Sequence, residues 1–269
     1  MKPVSFDYER PGSIEAAVKL LVQSAGSAKI LAGGQSLGPM LNMRLVRPAL
    51  LIDISRISEL SDVTDDGDAL IFGACITHVD IEDRQIPDAS SDMMPTVAAS
   101  IAHRAIRNKG TIGGSLVHAD PAADWMTALS ALGAEAVVFG PLGERRISLD
   151  QFMQSAFETV LGDEEILISI RVPKFSPDAR CGYFKFCRKT GEFADAMSAV
   201  VVDPERKVAR AVIGATDSRP IVIPDANNLI SVPEMVDNVI VERNLTGDAY
   251  KAQTYRVALW RALEQVRLA

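Results

Sequence analysis

Two short stretches carry residue types suited to gripping a phosphate. The first is AGGQS at 32–36 (Ala32, Gly33, Gly34, Gln35, Ser36), followed by Leu37. The second is TIGGS at 111–115, with Thr111, Gly113, Gly114 and Ser115, and it runs on into HADPAADW at 118–125. In each, a glycine pair removes the Cβ atoms that would hold a ligand away from the backbone. Gln35, Ser36, Thr111 and Ser115 add side-chain donors. Asp124 can accept hydrogen bonds from ribose or ribityl hydroxyls, or it can simply cap the helix that follows. His118 can act as a base, or as a loop histidine bonded to backbone. Two such loops facing each other would hold one dinucleotide between them. Taken alone, a glycine pair before a helix reads as a tight turn, and neither pair has the G-x-G-x-x-G spacing of a Rossmann domain.

The surrounding pattern supplies elements to position these residues. The apolar run 29–32 suits a buried strand, and 37–45 suits a helix with Pro39 tolerated in its first turn. Strand, glycine turn and helix N-terminus in that order point backbone N–H groups outward, beside a helix end worth about +0.5 charge. An amphipathic helix is expected over 13–26, with Ser13 as N-cap and Gly26 after its end. Strands are expected at 50–54 and 69–74, with a polar acidic loop over 62–68. Thr77–Asp80 has a capping-box pattern, which puts His78 on the surface of a first helical turn.

Apolar residues at helical spacing make 93–106 one helix. Arg104, Arg107 and Lys109 crowd its far end, either capping it or reaching a phosphate. Another helix is expected over 125–132, a hairpin over 136–148, a Ser148-capped helix through Phe157 and a strand over 165–172. The polar segment 174–180 is the best domain boundary. Beyond it, Cys181, Tyr183, Lys185 and Cys187 alternate with Gly182, Phe184 and Phe186, a strand with one apolar face. Its lysine reads as a solvated charge. Two more strands (196–202, 208–215) and a C-terminal helix (248–268) complete the chain.

At 269 residues with a net charge of −7, the chain is long enough for a real core and has no basic run suited to nucleic acid. No uncharged segment approaches the roughly 18 apolar residues of a membrane span. MKPVSFDYER has no signal-peptide core, so a cytoplasmic location is expected. Three cysteines are too few for an iron–sulfur cluster, and none of the three histidines, His78, His103 and His118, pairs with another at an i, i+4 metal spacing. Redox chemistry here would need an organic cofactor.

AGGQS at 32–36, TIGGS at 111–115, HADPAAD at 118–124 and FKFCRKTGEFAD at 184–195 together resemble one family. It is the FAD-binding medium subunit of the molybdenum hydroxylases, as in aerobic carbon monoxide dehydrogenase, and the flavin domain of xanthine dehydrogenase. The resemblance implies an α+β FAD-binding domain of the vanillyl-alcohol-oxidase (PCMH) type over 1–175, with subdomains of about 1–56 and 57–175. A smaller α+β C-terminal domain over 176–269 is implied to follow it.

It also implies that both glycine loops wrap the FAD pyrophosphate and that Asp124 contacts the cofactor. Leu167 would lie beside the flavin, Lys185 near the isoalloxazine ring with Tyr183 as a further contact, and Ile101 where some relatives place a cofactor-touching aromatic. Ser115 stands where many relatives have asparagine, but it keeps a donor; Met126 stands where many have proline. The implied function is electron transfer from partner [2Fe–2S] clusters through FAD to an external acceptor. The implied partners are an iron–sulfur small subunit and a molybdopterin large subunit, in a dimer of heterotrimers. The alternative is a self-sufficient FAD-dependent oxidoreductase of the same fold, with His118 as its acid–base residue.

Overall fold

The computed structural model describes residues 2–268. The first unit in sequence is β1 (Asp7–Glu9), α1 (Ile14–Ser24), β2 (Ala28–Leu31), α2 (Leu37–Asn42) and β3 (Leu50–Asp53). Its strands are parallel in the order β1-β3-β2. Ser13 caps α1 by accepting from the Ala16 N–H. Ala17, Val18 and Leu21 then lie on one face, packed with Ile52 and Ile54, as a stripe at i, i+3, i+4 and i+7 requires. The carboxyl end of β2 opens directly into 32–36. Ligands of parallel α/β sheets gather at that edge.

The middle of the chain forms β4 (Val63–Asp65), β5 (Ala69–Gly73), α3 (His78–Glu82), α4 (Met93–Ser100), α5 (Arg104–Arg107), α6 (Ile112–His118) and α7 (Asp124–Leu132). After these come β6 (Glu135–Gly140), β7 (Gly143–Ser148), α8 (Leu149–Phe152), β8 (Met153–Ser155), β9 (Glu158–Thr159) and β10 (Ile166–Pro173). β4, β5, β10, β6 and β7 make an antiparallel sheet in that order, and β8 and β9 a separate hairpin.

Four expectations from sequence are corrected here. The acidic segment 62–68 is not all loop, because β4 pairs with β5 inside it. The single helix over 93–106 is broken: α4 stops at Ser100, Ile101 turns extended and Ala102 is left-handed at φ 43. The Arg107 guanidinium donates to the carbonyls of Ile101 and Ala102 at 2.8 and 3.1 Å, taking the place of helical partners. The glycines of TIGGS are not in a loop but in the first turn of α6. The helix after Ser148 ends at Phe152, and the chain turns back in the β8–β9 hairpin instead of continuing to Phe157.

The last part holds β11 (Arg180–Phe186), β12 (Ala196–Asp203), β13 (Val208–Gly214), β14 (Ile221–Ile223), α9 (Asn227–Ser231), α10 (Val236–Glu242) and α11 (Ala249–Leu268). Its four strands are antiparallel in sequence order. β12 is buried along its whole length. Met197, Ala199 and Val201 point to the core containing α7, while Ala196, Val200 and Val202 point to the core containing α11. A strand covered on both faces has no solvent side, so its sequence does not alternate and is apolar apart from Ser198 and the terminal Asp203. The largest core therefore runs from β5 and β10 through α7 into this sheet. Among the described residues no helix is long and apolar enough to cross a membrane.

Candidate cofactor site

The site begins where β2 ends. Gly34 turns the chain with φ 70, and α2 starts with Gly38 N–H donating to Gly34 O and Met40 N–H to Ser36 O. Among the described residues, the N–H groups of Gly33, Gly34, Gln35, Ser36 and Leu37 donate to no protein acceptor. Half-buried N–H groups without partners are costly, and a run of them is an anion cradle. The Gln35 amide holds the loop's shape by donating to Gly33 O at 3.0 Å. Ser36, exposed at the N-cap position, makes no capping bond, so its hydroxyl is free. A dinucleotide's pyrophosphate is doubly negative and offers only acceptors, the chemistry that five consecutive free donors match.

A second backbone walls the cradle. A Cβ on Gly33 would lie 1.9 Å from the Lys109 carbonyl oxygen and 3.0 Å from Gly110 Cα. The two glycine regions do meet, but through Lys109 and Gly110 rather than through Gly113 and Gly114.

The second glycine pair has a different role. Thr111 is the N-cap of α6, its Oγ1 accepting from Gly114 N–H at 3.1 Å. Ile112 N–H donates to Ile76 O, Gly113 N–H to Ala74 O and Ser115 N–H to Thr111 O. Every N–H from Ile112 to Ser115 is thus taken within the chain. Gly113 is small because Ala74 lies beneath it, where a Cβ would come 2.6 Å from the Ala74 carbonyl. What this stretch turns outward is the exposed Gly114 and the half-buried Ser115, whose hydroxyl has no protein partner among the described residues. Leu167 is in the core behind it, next to the β10 bulge; Ile168 O accepts from Ala74 N–H, and Ala74 O from Gly113 N–H.

Asp124 is the first residue of α7, but it makes no capping bond. Its carboxylate accepts from Ser100 Oγ at 3.0 Å and from Tyr183 Oη at 2.6 Å, and it pairs with Lys185 Nζ at 3.0 Å. Lys185 also donates to Ser100 O at 3.3 Å. The side chains of Lys185 and Asp124 are only 7% and 5% exposed, so the lysine is not the solvated charge that its strand pattern suggests. Removing one partner of a buried pair strands the other charge, a cost of about 3–5 kcal/mol. Burial, and then the Asp124 carboxylate, hold the Tyr183 phenol well above its ordinary range, so it stays protonated and donates. Ser100 joins all three and has no sequence signature. Ile101 follows it, half-buried against the main core, with its carbonyl bound by Arg107.

His78 is also not where its sequence puts it. The capping box forms as expected, but the imidazole is buried, and its Nδ1 accepts from Trp125 Nε1 at 3.1 Å. Burial pulls its pKa down to about 4, partly offset by the Asp124 charge, so the ring is neutral. Arg104 and Arg107 pair with Glu82 and Asp83. His118 ends α6 and packs against the Phe157 ring at 5.3 Å.

Known proteins match this arrangement along the whole chain. The family described as the FAD binding domain in molybdopterin dehydrogenase matches residues 4–175. A 6-hydroxypseudooxynicotine dehydrogenase complex subunit alpha from Paenarthrobacter nicotinovorans is 35% identical, over 94% of this chain and 85% of that protein. The carbon monoxide dehydrogenase medium chain of Hydrogenophaga pseudoflava is 39% identical over 75% of this chain and 70% of its own. A solved structure of carbon monoxide dehydrogenase from the same organism, lacking the Mo-pyranopterin moiety of its cofactor, superimposes with a TM-score of 0.90 at 32% identity, covering 99% and 98% of the two chains. The chain belongs to the FAD-binding family of the molybdopterin dehydrogenases, and it is the FAD-binding chain of an oxidoreductase.

Proposed function

We propose that this chain is the electron-exit subunit of a cytoplasmic molybdenum hydroxylase, carrying electrons from partner [2Fe–2S] clusters to an external acceptor. The observation that carries the proposal is the run of unpartnered N–H groups at 33–37, walled by Lys109 and Gly110. These donors, with the Ser36 and Ser115 hydroxyls, bind the pyrophosphate of FAD. Ala32 and Leu37 flank the groove, and Thr111, Gly113 and Gly114 seat the start of α6 so that Ser115 lies beside it. Lys185 places a cation toward the flavin end, oriented by Asp124 and Ser100; Tyr183 supports Asp124 from below. Ile101 and Leu167 supply apolar contacts there.

When bound, FAD supplies the electron exchange, and the protein supplies position and electrostatics. A fixed buried cation favours added negative charge at no reorganisation cost. Electron transfer through a flavin needs no acid–base pair from the protein.

The partners are a small iron–sulfur subunit and a large molybdopterin subunit, assembled as a dimer of heterotrimers. The relatives named as a complex subunit and as a medium chain support this. Their names carry different substrates on similar FAD-family chains, so substrate choice lies with another subunit. The matched family range of 4–175 and the new sheet from Arg180 support domains at 1–175 (about 1–56 and 57–175) and 176–269.

Purification from the native host tests the proposal. The protein is expected to be yellow, to release FAD on denaturation, and to bring iron and molybdenum with it. A chain that copurifies with neither metal and yet turns over a substrate would instead favour a self-sufficient flavoenzyme.

A further inference from the structure

His78 contributes nothing to the site as described so far, yet it lies between the site's two halves. On one side its backbone N–H donates to Gly110 O at 2.9 Å. Gly110 packs so closely on the ring that a Cβ there would come 3.0 Å from both Cδ2 and Nε2. On the other side Nδ1 accepts from the indole of Trp125, whose ring centroid is 6.0 Å away. An accepting Nδ1 puts the imidazole hydrogen on Nε2.

The neighbours of these two contacts give them their meaning. Gly110 and the Lys109 carbonyl form the wall that requires Gly33 to be a glycine. Trp125 follows Asp124, which holds Lys185 and Tyr183. Contacts therefore run without a break from the cradle through the 109–111 bend, His78 and Trp125 to the buried ion pair. Trp125 is fully buried, so its N–H has no water to turn to if His78 stops accepting.

We propose that His78 is a positioning residue of the cofactor site, fixing the bend that walls the Gly33 cradle to the Trp125 indole beside Asp124. The role rests on the FAD seat proposed above. It requires an acceptor facing Trp125 on a backbone whose N–H holds the Gly110 carbonyl. Asparagine preserves the acceptor near the Nδ1 position, whereas phenylalanine preserves the bulk and removes the acceptor.

The test measures FAD per chain and the rate of FAD loss in the assembled holoenzyme, with the visible circular dichroism of the bound flavin as a second readout. Leaving one buried donor unpaired corresponds to about a tenfold weakening, so His78→Phe should weaken FAD retention by about that factor and alter the flavin dichroism. His78→Asn should restore both to within about twofold of wild type, within the few tenths of a kcal/mol expected of a preserved hydrogen bond. Trp125→Phe removes the same bond from the other side. The double variant should then lose no more than the worse single variant, the signature of one shared interaction.

Wild-type retention in His78→Phe, failure of His78→Asn to rescue, or additive losses in the double variant would each overturn the proposal. If His78→Phe does not fold, the contrast between His78→Asn, expected to retain FAD, and Trp125→Phe, expected to lose it, decides the matter. Gly33→Ala separates the two levels. If it loses FAD while His78→Phe keeps it, only the role of His78 fails. If Gly33→Ala keeps FAD, the seat itself is wrong and the proposal falls with it.

Discussion

The two glycine pairs look alike in sequence and differ in what their backbones are free to do. Gly33-Gly34 leaves five consecutive N–H groups, from Gly33 to Leu37, without protein partners. Gly113-Gly114 sits in the first turn of a helix whose N–H groups from Ile112 to Ser115 are all taken, one of them by the Thr111 hydroxyl. Gly33 and Gly113 are each held to glycine by a neighbouring carbonyl, Lys109 in one case and Ala74 in the other. The first contact walls a run of free N–H groups. The second packs a helix onto the core. A glycine pair is thus evidence of close backbone approach; what approaches has to be read from where the hydrogen bonds go.

This contrast can be broken or sharpened by substitution. The largest effect is expected for Gly33→Ala, whose Cβ would meet the Lys109 carbonyl at 1.9 Å with no side chain to yield. Displacing that wall should weaken FAD retention by about 100-fold or more, equal to the roughly 3 kcal/mol upper range of overpacking, as read by flavin content after gel filtration. Gly113→Ala should instead lower stability by about 1–3 kcal/mol in urea, because its Cβ intrudes on Ala74. Its folded fraction should keep FAD, whereas equal loss of FAD in both variants would erase the distinction drawn here.

Thr111→Ala removes an N-cap and should cost about 1 kcal/mol of stability, measured in the same urea titration. Gly114→Ala should be nearly silent. Gly114 is exposed, and a Cβ there would meet only the rotatable Thr111 Oγ1, at 2.7 Å. The helix propensity gained, up to about 1 kcal/mol, should roughly offset a disturbed cap. A large loss of FAD in Gly114→Ala would show that the second pair also faces the cofactor closely.

Much of this was legible in the sequence, because local rules govern it. Ser13 and the Thr77–Asp80 box announce their helices, and the strand, glycine turn and helix expected over 29–45 form in that order. The misreadings share one cause, which is distance along the chain. Alternation puts Tyr183 and Lys185 on one face of β11 but cannot say that Asp124 covers that face from 61 residues away. The local pattern puts His78 on the surface because its partner Trp125 lies 47 positions downstream. Alanine is the best helix former, so nothing local marked Ala102 as a break; the Arg107 guanidinium and the close approach of Gly191 to the Ala102 carbonyl are tertiary. TIGGS showed the need for small residues without showing that Ala74 was the reason.

Amide hydrogen exchange, with and without FAD, tests the central claim most directly. The amides of 33–37 should exchange fast in FAD-free protein and become strongly protected when FAD binds. Those of 112–115 should be protected in both states, since their partners lie within the chain. Exchange at 33–37 that is indifferent to FAD, or protection at 112–115 that appears only with FAD, would contradict the account.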